Sequence, residues 1–431
     1  MNVNILYGRS GLKVDIPDDT QVDVIRKHQM PLVKEPAASV SHAFDHPIGC
    51  LSLAELASRA NSACILLCDV TRPVPNALFI DPLIQTLVEN GIDSDQITVL
   101  IATGLHRPNE NEELAEVVGS QNVFHNFNVV NHFATIEEDH VELGETTRET
   151  VIKIDRRFVQ ADLKIATGLV EPHFMAGYSG GRKVITPGIA HADTIRRLHS
   201  AHILEDPATR SCNLENNPLH AEQLEVLDML RQQTNSEIYA INTVIDEYRR
   251  LGLFNFGEIE QSHLEAVAFA HKYTSVDISR KYQNILTSAG GYPLDQTYYQ
   301  TVKGMVTPLE IAEKEANLIV ASECAEGIGS DSFRSAQVNL IAQGKERFLE
   351  DLKRKSLADI DEWESEMQVR AQSVARVQLY APSLTLGDQS LTGVELIDSI
   401  EDTIRENLAS SRDKHLAIIP EGPYVIPNFI N

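Results

Sequence analysis

The chain has 431 residues, with 37 Lys and Arg against 62 Asp and Glu and a formal charge of −25. So acidic a surface repels phosphate backbones and anionic lipid, which argues against nucleic acid and membrane as partners. No apolar run approaches membrane-spanning length, and the opening MNVNILYGRSGLKVDIPDD lacks the regions of a signal peptide, so a cytoplasmic location is expected. A chain of this length exceeds what one hydrophobic core usually organises.

In chain order, ACILLCDV (residues 63 to 70) is predicted as a buried strand followed by a helix from about Leu78. ITVLIATG (97 to 104) is a second strand with a helix from about Asn111, and DLKIATGLV (162 to 170) a third. This alternation predicts an α/β fold with mainly parallel sheets. A polar helical stretch spans about Ser262 to Lys272, after which the pattern restarts with YQNILTSAGG, a helix carrying LDQTYYQTVKG, and ANLIVASECAEG. A charged helical segment from Gly344 to Gln378, strand VQLYAPSL, another helix and strand HLAIIPEGP complete the chain. Two α/β domains are therefore expected, residues 1–275 for catalysis and cofactor binding and 276–431 closing an interdomain active-site cleft. The five cysteines (Cys50, Cys64, Cys68, Cys212, Cys324) are scattered and odd in number, which suits reduced thiols. Cys64 and Cys68 read as packing residues of a buried strand.

In open α/β sheets ligands sit beyond the carboxyl ends of the strands. The loops to read are thus CDVTRPVPN, ATGLHRPNE and TGLVEPHFMAGYSGGRKVITPG. In the first, Arg72 is placed to fork onto a carboxylate, or alternatively to pair with Asp69. In the second and third, His106 and His173 follow strand ends and suit proton exchange with a hydroxyl group on either face of a carbon. GYSGGRKVITPG, residues 177 to 188, resembles an anion-binding loop in which Ser179, Gly180, Gly181, Arg182 and Lys183 gather amides and charge. It matches neither GxxxxGK[ST] nor GxGxxG, and a plain Gly-rich turn with one surface lysine is the alternative.

TIRRLHSAH reads as one helix on which His199 and His202 share a face, and either can hold a metal. His125, His132, His191 and His220 show no constellation. On the helix after GGYPLDQT, Tyr299, Gln300 and Lys303 share a face.

Taken together, DVTRPVPN, TGLHRP, EPHFMAGYSGGRKVITPG with downstream RRLHSAH, and GGYPLDQTYYQTVKG resemble the nickel-pincer lactate racemase family; DEWE around Trp363 is a weaker match. The resemblance extends over most of the chain. It implies a pyridinium-3,5-bisthiocarboxylic acid mononucleotide bound covalently to Lys183, carrying nickel whose remaining ligand is His199. It further implies His106 and His173 as the acid/base pair, and Arg72 with Gln300 and Lys303 as substrate carboxylate anchors. Asp69, Thr71 and Tyr299 match other site-lining positions, and Trp363 a position near the pocket. The implied reaction is racemisation or epimerisation of a small 2-hydroxycarboxylate, lactate first among them, through hydride transfer. Cofactor-building proteins are the implied transient partners. A 2-hydroxy acid dehydrogenase and a non-catalytic carrier of the cofactor are the alternatives; no GxGxxG follows a strand and no Cys ligands stand at zinc spacing.

Overall fold

The computed structural model describes residues 1–18 and 20–430. The chain divides into two compact units: residues 30–198 with 206–271, and residues 1–29 with 199–205 and 272–431.

The first unit is built on a six-stranded sheet in the order Leu251–Glu258, Ile238–Ile245, Leu163–Leu169, Ala63–Cys68, Ile97–Ala102, Asn128–Asn131. All neighbours are parallel except the edge strand Leu251–Glu258, which is antiparallel to Ile238–Ile245. Successive side chains of a strand point to opposite faces, and both faces of this sheet are covered. Ile65 and Leu67 enter one core with Val99 and Ile101. Cys64 and Leu66 enter the opposite core with Leu100 and Ala166. Two covered faces explain why the strand reads as a continuous apolar run. Cys64 is fully buried there and Cys68 packs at its margin, in accord with a packing role.

The second unit carries a six-stranded, all-parallel sheet ordered Glu395–Leu396, Ala375–Tyr380, Ala312–Ala321, Tyr282–Ser288, His415–Ile419, Gln21–Val24. Its last strand corrects the expected division at the N-terminus. Gln21 pairs with His415 and Val24 with Ile418, so residues 1–29 belong with the C-terminal part rather than with residues 30–275. The charged segment from Gly344 resolves into helices Lys345–Arg354 and Glu362–Val374 before strand Ala375–Tyr380. No helix among the described residues is long and apolar enough to cross a membrane.

The stretch TIRRLHSAH is two helices, Ala192–Leu198 and Ala201–Leu204, and not one. Ser200 is extended (φ −74°, ψ 153°), so the helix breaks at His199 and Ser200, and His199 and His202 do not share one helical face. Ala201 packs against Leu340, Phe348, Leu352 and Val369, which ties this short helix to the second unit. His199 is buried and His202 exposed.

Histidines without an evident pattern in sequence form a buried row: the His132 and His140 rings lie 5.1 Å apart edge-on, as do those of His140 and His191. His132 Nδ1 is 3.0 Å from Asp155 Oδ2, and its Nε2 is 3.1 Å from the Ala190 carbonyl. Its own carbonyl accepts from Thr103 Oγ1 at 2.7 Å, linking the row to the loop that carries His106. Burial pushes the Asp155 carboxyl up, but hydrogen bonds and charge from Arg157 and His132 outweigh it and hold the group at about 2. Against about 3.9 in an unfolded chain, a depressed folded value adds stability that is present above that pH and lost as pH falls towards the folded value. Asp155→Asn is therefore expected to lower Tm at neutral pH and to flatten its decline between about pH 4 and pH 2. A variant whose melting falls over that window as steeply as the parent's would contradict this.

Candidate functional site

Three loops of the first unit leave the carboxyl ends of adjacent parallel strands. Cys68 is in register with Ala102, and Leu66 with Ala166, so the loops after Ala63–Cys68, Ile97–Ala102 and Leu163–Leu169 emerge on one edge of the sheet. The first brings Asp69, Thr71 and Arg72, the second His106, the third Glu171 and His173.

Asp69 is almost wholly buried, whereas the His106 side chain is 54% exposed. His106 Nδ1 lies 2.6 Å from Asp69 Oδ2. The other carboxylate oxygen accepts from Thr71 Oγ1 at 2.6 Å and from the Thr71 amide at 3.2 Å. Burial alone would push the Asp69 carboxyl up, but the hydrogen bonds from His106 and Thr71 and the Arg72 charge hold it below the usual carboxylate range. A buried carboxylate on Nδ1 fixes the ring and leaves Nε2 outermost, the arrangement of an oriented general base.

The Arg72 guanidinium pairs with Glu171, and its charge also helps hold the Asp69 carboxyl down. Glu171 is absent from the residues singled out by sequence, although a carboxylate directly preceding Pro172 and His173 in a strand-end loop is a visible signal.

His173 sits on the two-residue strand Pro172–His173, paired with Gly177–Tyr178. Its Nδ1 accepts from the amides of Met175 and Ala176, each at 3.2 Å, and its ring stacks on Phe174 with centroids 5.0 Å apart.

The glycine-rich segment is a rigid, internally bonded turn. Gly180 and Gly181 have positive φ (76° and 49°), and a Cβ on either would meet Val170 or His263 at 2.8 Å, so glycine is required twice over. Ser179 Oγ donates to the Leu169 carbonyl at 2.7 Å and accepts from the Glu171 amide at 3.1 Å. Arg182 is buried and donates to the carbonyls of Ala176 (2.9 Å) and Tyr178 (3.4 Å). Burial pulls its pKa down. The structure thus gives Ser179 and Arg182 an internal role, holding the turn, where the sequence suggested groups gathered on an anion. Between Met175 and Thr186 every residue is buried except Lys183, which is half-buried. The turn also touches the His106 loop, since the Gly104 amide donates to the Gly188 carbonyl at 2.9 Å.

In the second unit, Thr297 caps helix Tyr298–Val306 by accepting from the Gln300 amide. Lys303 Nζ bonds the Gln300 side-chain oxygen, as i,i+3 neighbours on one helical face. Trp363 Nε1 donates to the Tyr299 hydroxyl at 3.2 Å. The Trp363 ring lies 4.7 Å from the ring of His199, tilted by 40°. The unit therefore gathers Tyr299, Trp363 and His199 in one aromatic cluster. Glu364, the last residue of DEWE, is buried beside it. Burial pushes its carboxyl up to about 8 against the opposing charge of Lys303, with Asp361 adding to the rise.

Similarity to known proteins covers both units. Residues 7–211 match the lactate racemase N-terminal domain and residues 278–427 the lactate racemase C-terminal domain. A protein named lactate racemase from Thermoanaerobacterium thermosaccharolyticum is 29% identical over 444 residues, 99% of each chain. Another so named, from Lactiplantibacillus plantarum, is 30% identical over 404 residues, 90% of each. The solved lactate racemase apoprotein from T. thermosaccharolyticum superposes with a TM-score of 0.90 at 28% identity, covering 99% of this chain and 100% of that one. A Thermotoga maritima protein with a TM-score of 0.65 and 18% identity, covering 88% of this chain and 97% of its own, shares the fold. Matched in both of that family's domains, and over nine-tenths of its length by a relative at 30% identity, the chain belongs to the lactate racemase family.

Proposed function

We propose that the chain is a racemase or epimerase that inverts C2 of a 2-hydroxy acid, lactate foremost, by reversible hydride transfer to a nickel-pincer nucleotide tethered to Lys183. The observation that carries this reading is the Asp69–His106 pair on the sheet edge that also presents Arg72 and His173. An oriented base, a cation for a carboxylate and a second imidazole are what inversion beside a carboxylate demands. The relatives named lactate racemase support the reaction class and lactate as substrate.

The residues present fit the cofactor. Lys183 is the one side chain of its turn that is not buried. Among the described residues no group of three or more His, Cys, Asp or Glu is arranged to hold a metal, so a single imidazole such as that of His199 suits a metal that arrives with sulfur and carbon ligands of its own. When bound, the cofactor supplies a hydride acceptor, chemistry that side chains do not provide. Lys183 holds it, His199 ligates its nickel, and Asp69, Thr71 and Tyr299 line it. The turn built by Ser179, Gly180, Gly181 and Arg182 keeps Lys183 in place. Arg72 binds the substrate carboxylate with help from Gln300 and Lys303 beside Trp363, while His106 and His173 exchange the hydroxyl proton. Proteins that build the cofactor are its transient partners.

Arg72→Lys keeps the charge and loses the fork, so kcat/KM is expected to fall by about 10- to 100-fold, chiefly through KM; an unchanged KM would remove Arg72 from substrate binding. The reading as a whole is tested by chiral analysis of single enantiomers of lactate and of larger, aromatic and dicarboxylic 2-hydroxy acids. The enzyme must be made alongside the cofactor-building proteins. Inversion of at least one acid is expected. Net formation of a keto acid would favour the dehydrogenase alternative, and retained cofactor without any turnover would favour the carrier.

A further inference from the structure

We infer that His106 and His173 meet the substrate as opposite tautomers, His106 with a bare Nε2 that accepts the hydroxyl proton and His173 with an Nε2–H that donates a hydrogen bond. This rests on the racemase reading for its meaning, but the tautomers follow from the protein alone. A neutral imidazole has one donor and one acceptor nitrogen, and the partner of one nitrogen decides the role of the other. At His106 the partner of Nδ1 is the Asp69 carboxylate, 2.6 Å away, which only accepts. Nδ1 therefore carries the proton and Nε2 the lone pair. At His173 the partners of Nδ1 are two backbone N–H groups, from Met175 and Ala176 at 3.2 Å each, which only donate. Nδ1 therefore carries the lone pair and Nε2 the proton. Stacking on Phe174, with ring planes 23° apart, holds the His173 ring in that orientation.

The two imidazoles are thus not interchangeable. A substrate hand whose hydroxyl faces His106 finds a base ready. The opposite hand, facing His173, finds a donor, and its proton can be taken only after the ring changes tautomer, Nδ1 gaining a proton as Nε2 gives its own up, with loss of the Met175 and Ala176 hydrogen bonds. A neutral imidazole that donates to a carbonyl oxygen is an electrophile, so His173 is suited to polarise the C2=O of the keto acid formed between the two hands. Because the equilibrium constant of a racemisation is one, kcat/KM is equal in the two directions. The inequality between the histidines then shows as kcat and KM differing between the hands by the same factor.

The test is 15N NMR of the apoprotein with ring-labelled histidine, at a pH where both rings are neutral. Long-range correlations from the ring C–H groups separate protonated from unprotonated nitrogens, and His106→Gln and His173→Gln assign the two rings among 15 histidines. Protonated Nδ1 in His106 and protonated Nε2 in His173 are expected. Asp69→Asn should disturb the first pattern and leave the second. Matching tautomers in the two rings, or a His173 whose nitrogens average between the two forms, would overturn the inference. Since no turnover is measured, that failure is distinct from failure of the racemase reading, which is decided by turnover in the chiral assay.

Discussion

Asp69→Asn is expected to lower turnover by about 10²- to 10⁴-fold with little change in KM. The Asp69 carboxylate is buried, anchored by Thr71 through its first oxygen, and presents its second to His106 Nδ1. An amide in its place can turn its NH2 towards Nδ1, which drives the ring proton to Nε2 and removes the base from the side where substrate must meet it. His106→Gln should cost at least as much, because it removes the proton acceptor itself. Steady-state kinetics of both variants, normalised to cofactor occupancy by intact mass, check this. Full turnover in Asp69→Asn would mean that the carboxylate does not set the state of the imidazole.

Lys183→Ala should abolish the covalent adduct and reduce inversion to background. The lysine leaves a turn that neighbouring side chains hold by internal hydrogen bonds: Ser179 to the Leu169 carbonyl, Arg182 to the carbonyls of Ala176 and Tyr178. Truncating a half-buried side chain leaves the Ser179 and Arg182 hydrogen bonds in place, so the turn should stay folded, checked by a cooperative melt of the variant. Intact-mass measurement of protein made with the cofactor-building proteins is the readout. An adduct that persists in Lys183→Ala would place the tether elsewhere.

Much of the architecture was legible because parallel strands covered on both faces leave a continuous apolar run, as in Ala63–Cys68 and Ile97–Ala102. Strand ends in turn point to loops, and those loops carry His106, His173 and Arg72. Other features depend on partners distant in the chain. Gln21–Val24 is a short, incompletely buried edge strand, and nothing local reveals that it pairs with His415–Ile419. The break at Ser200 was hidden because LHSAH carries no Gly or Pro, and packing of Ala201 against Leu340 and Phe348 decides the geometry there. Asp69 had two plausible cations nearby in sequence and space, Arg72 and His106. Its side chain takes His106, while the guanidinium goes to Glu171, a choice set by the neighbouring strand-end loop. The tautomers of the two histidines are invisible in sequence altogether, since each is set by partners of Nδ1 that only the folded loops bring together.

The central claim is inversion by hydride transfer, and an isotope at C2 tests it most directly. For the 2-hydroxy acid that the holoenzyme inverts fastest, one enantiomer deuterated at C2 is converted in ordinary water, and the opposite enantiomer is isolated and its C2 label measured by mass spectrometry. A hydride that leaves and returns without meeting solvent predicts an inverted product that keeps its deuterium. An inverted product carrying hydrogen from water at C2 would show that a proton and not a hydride is removed, and would contradict the account.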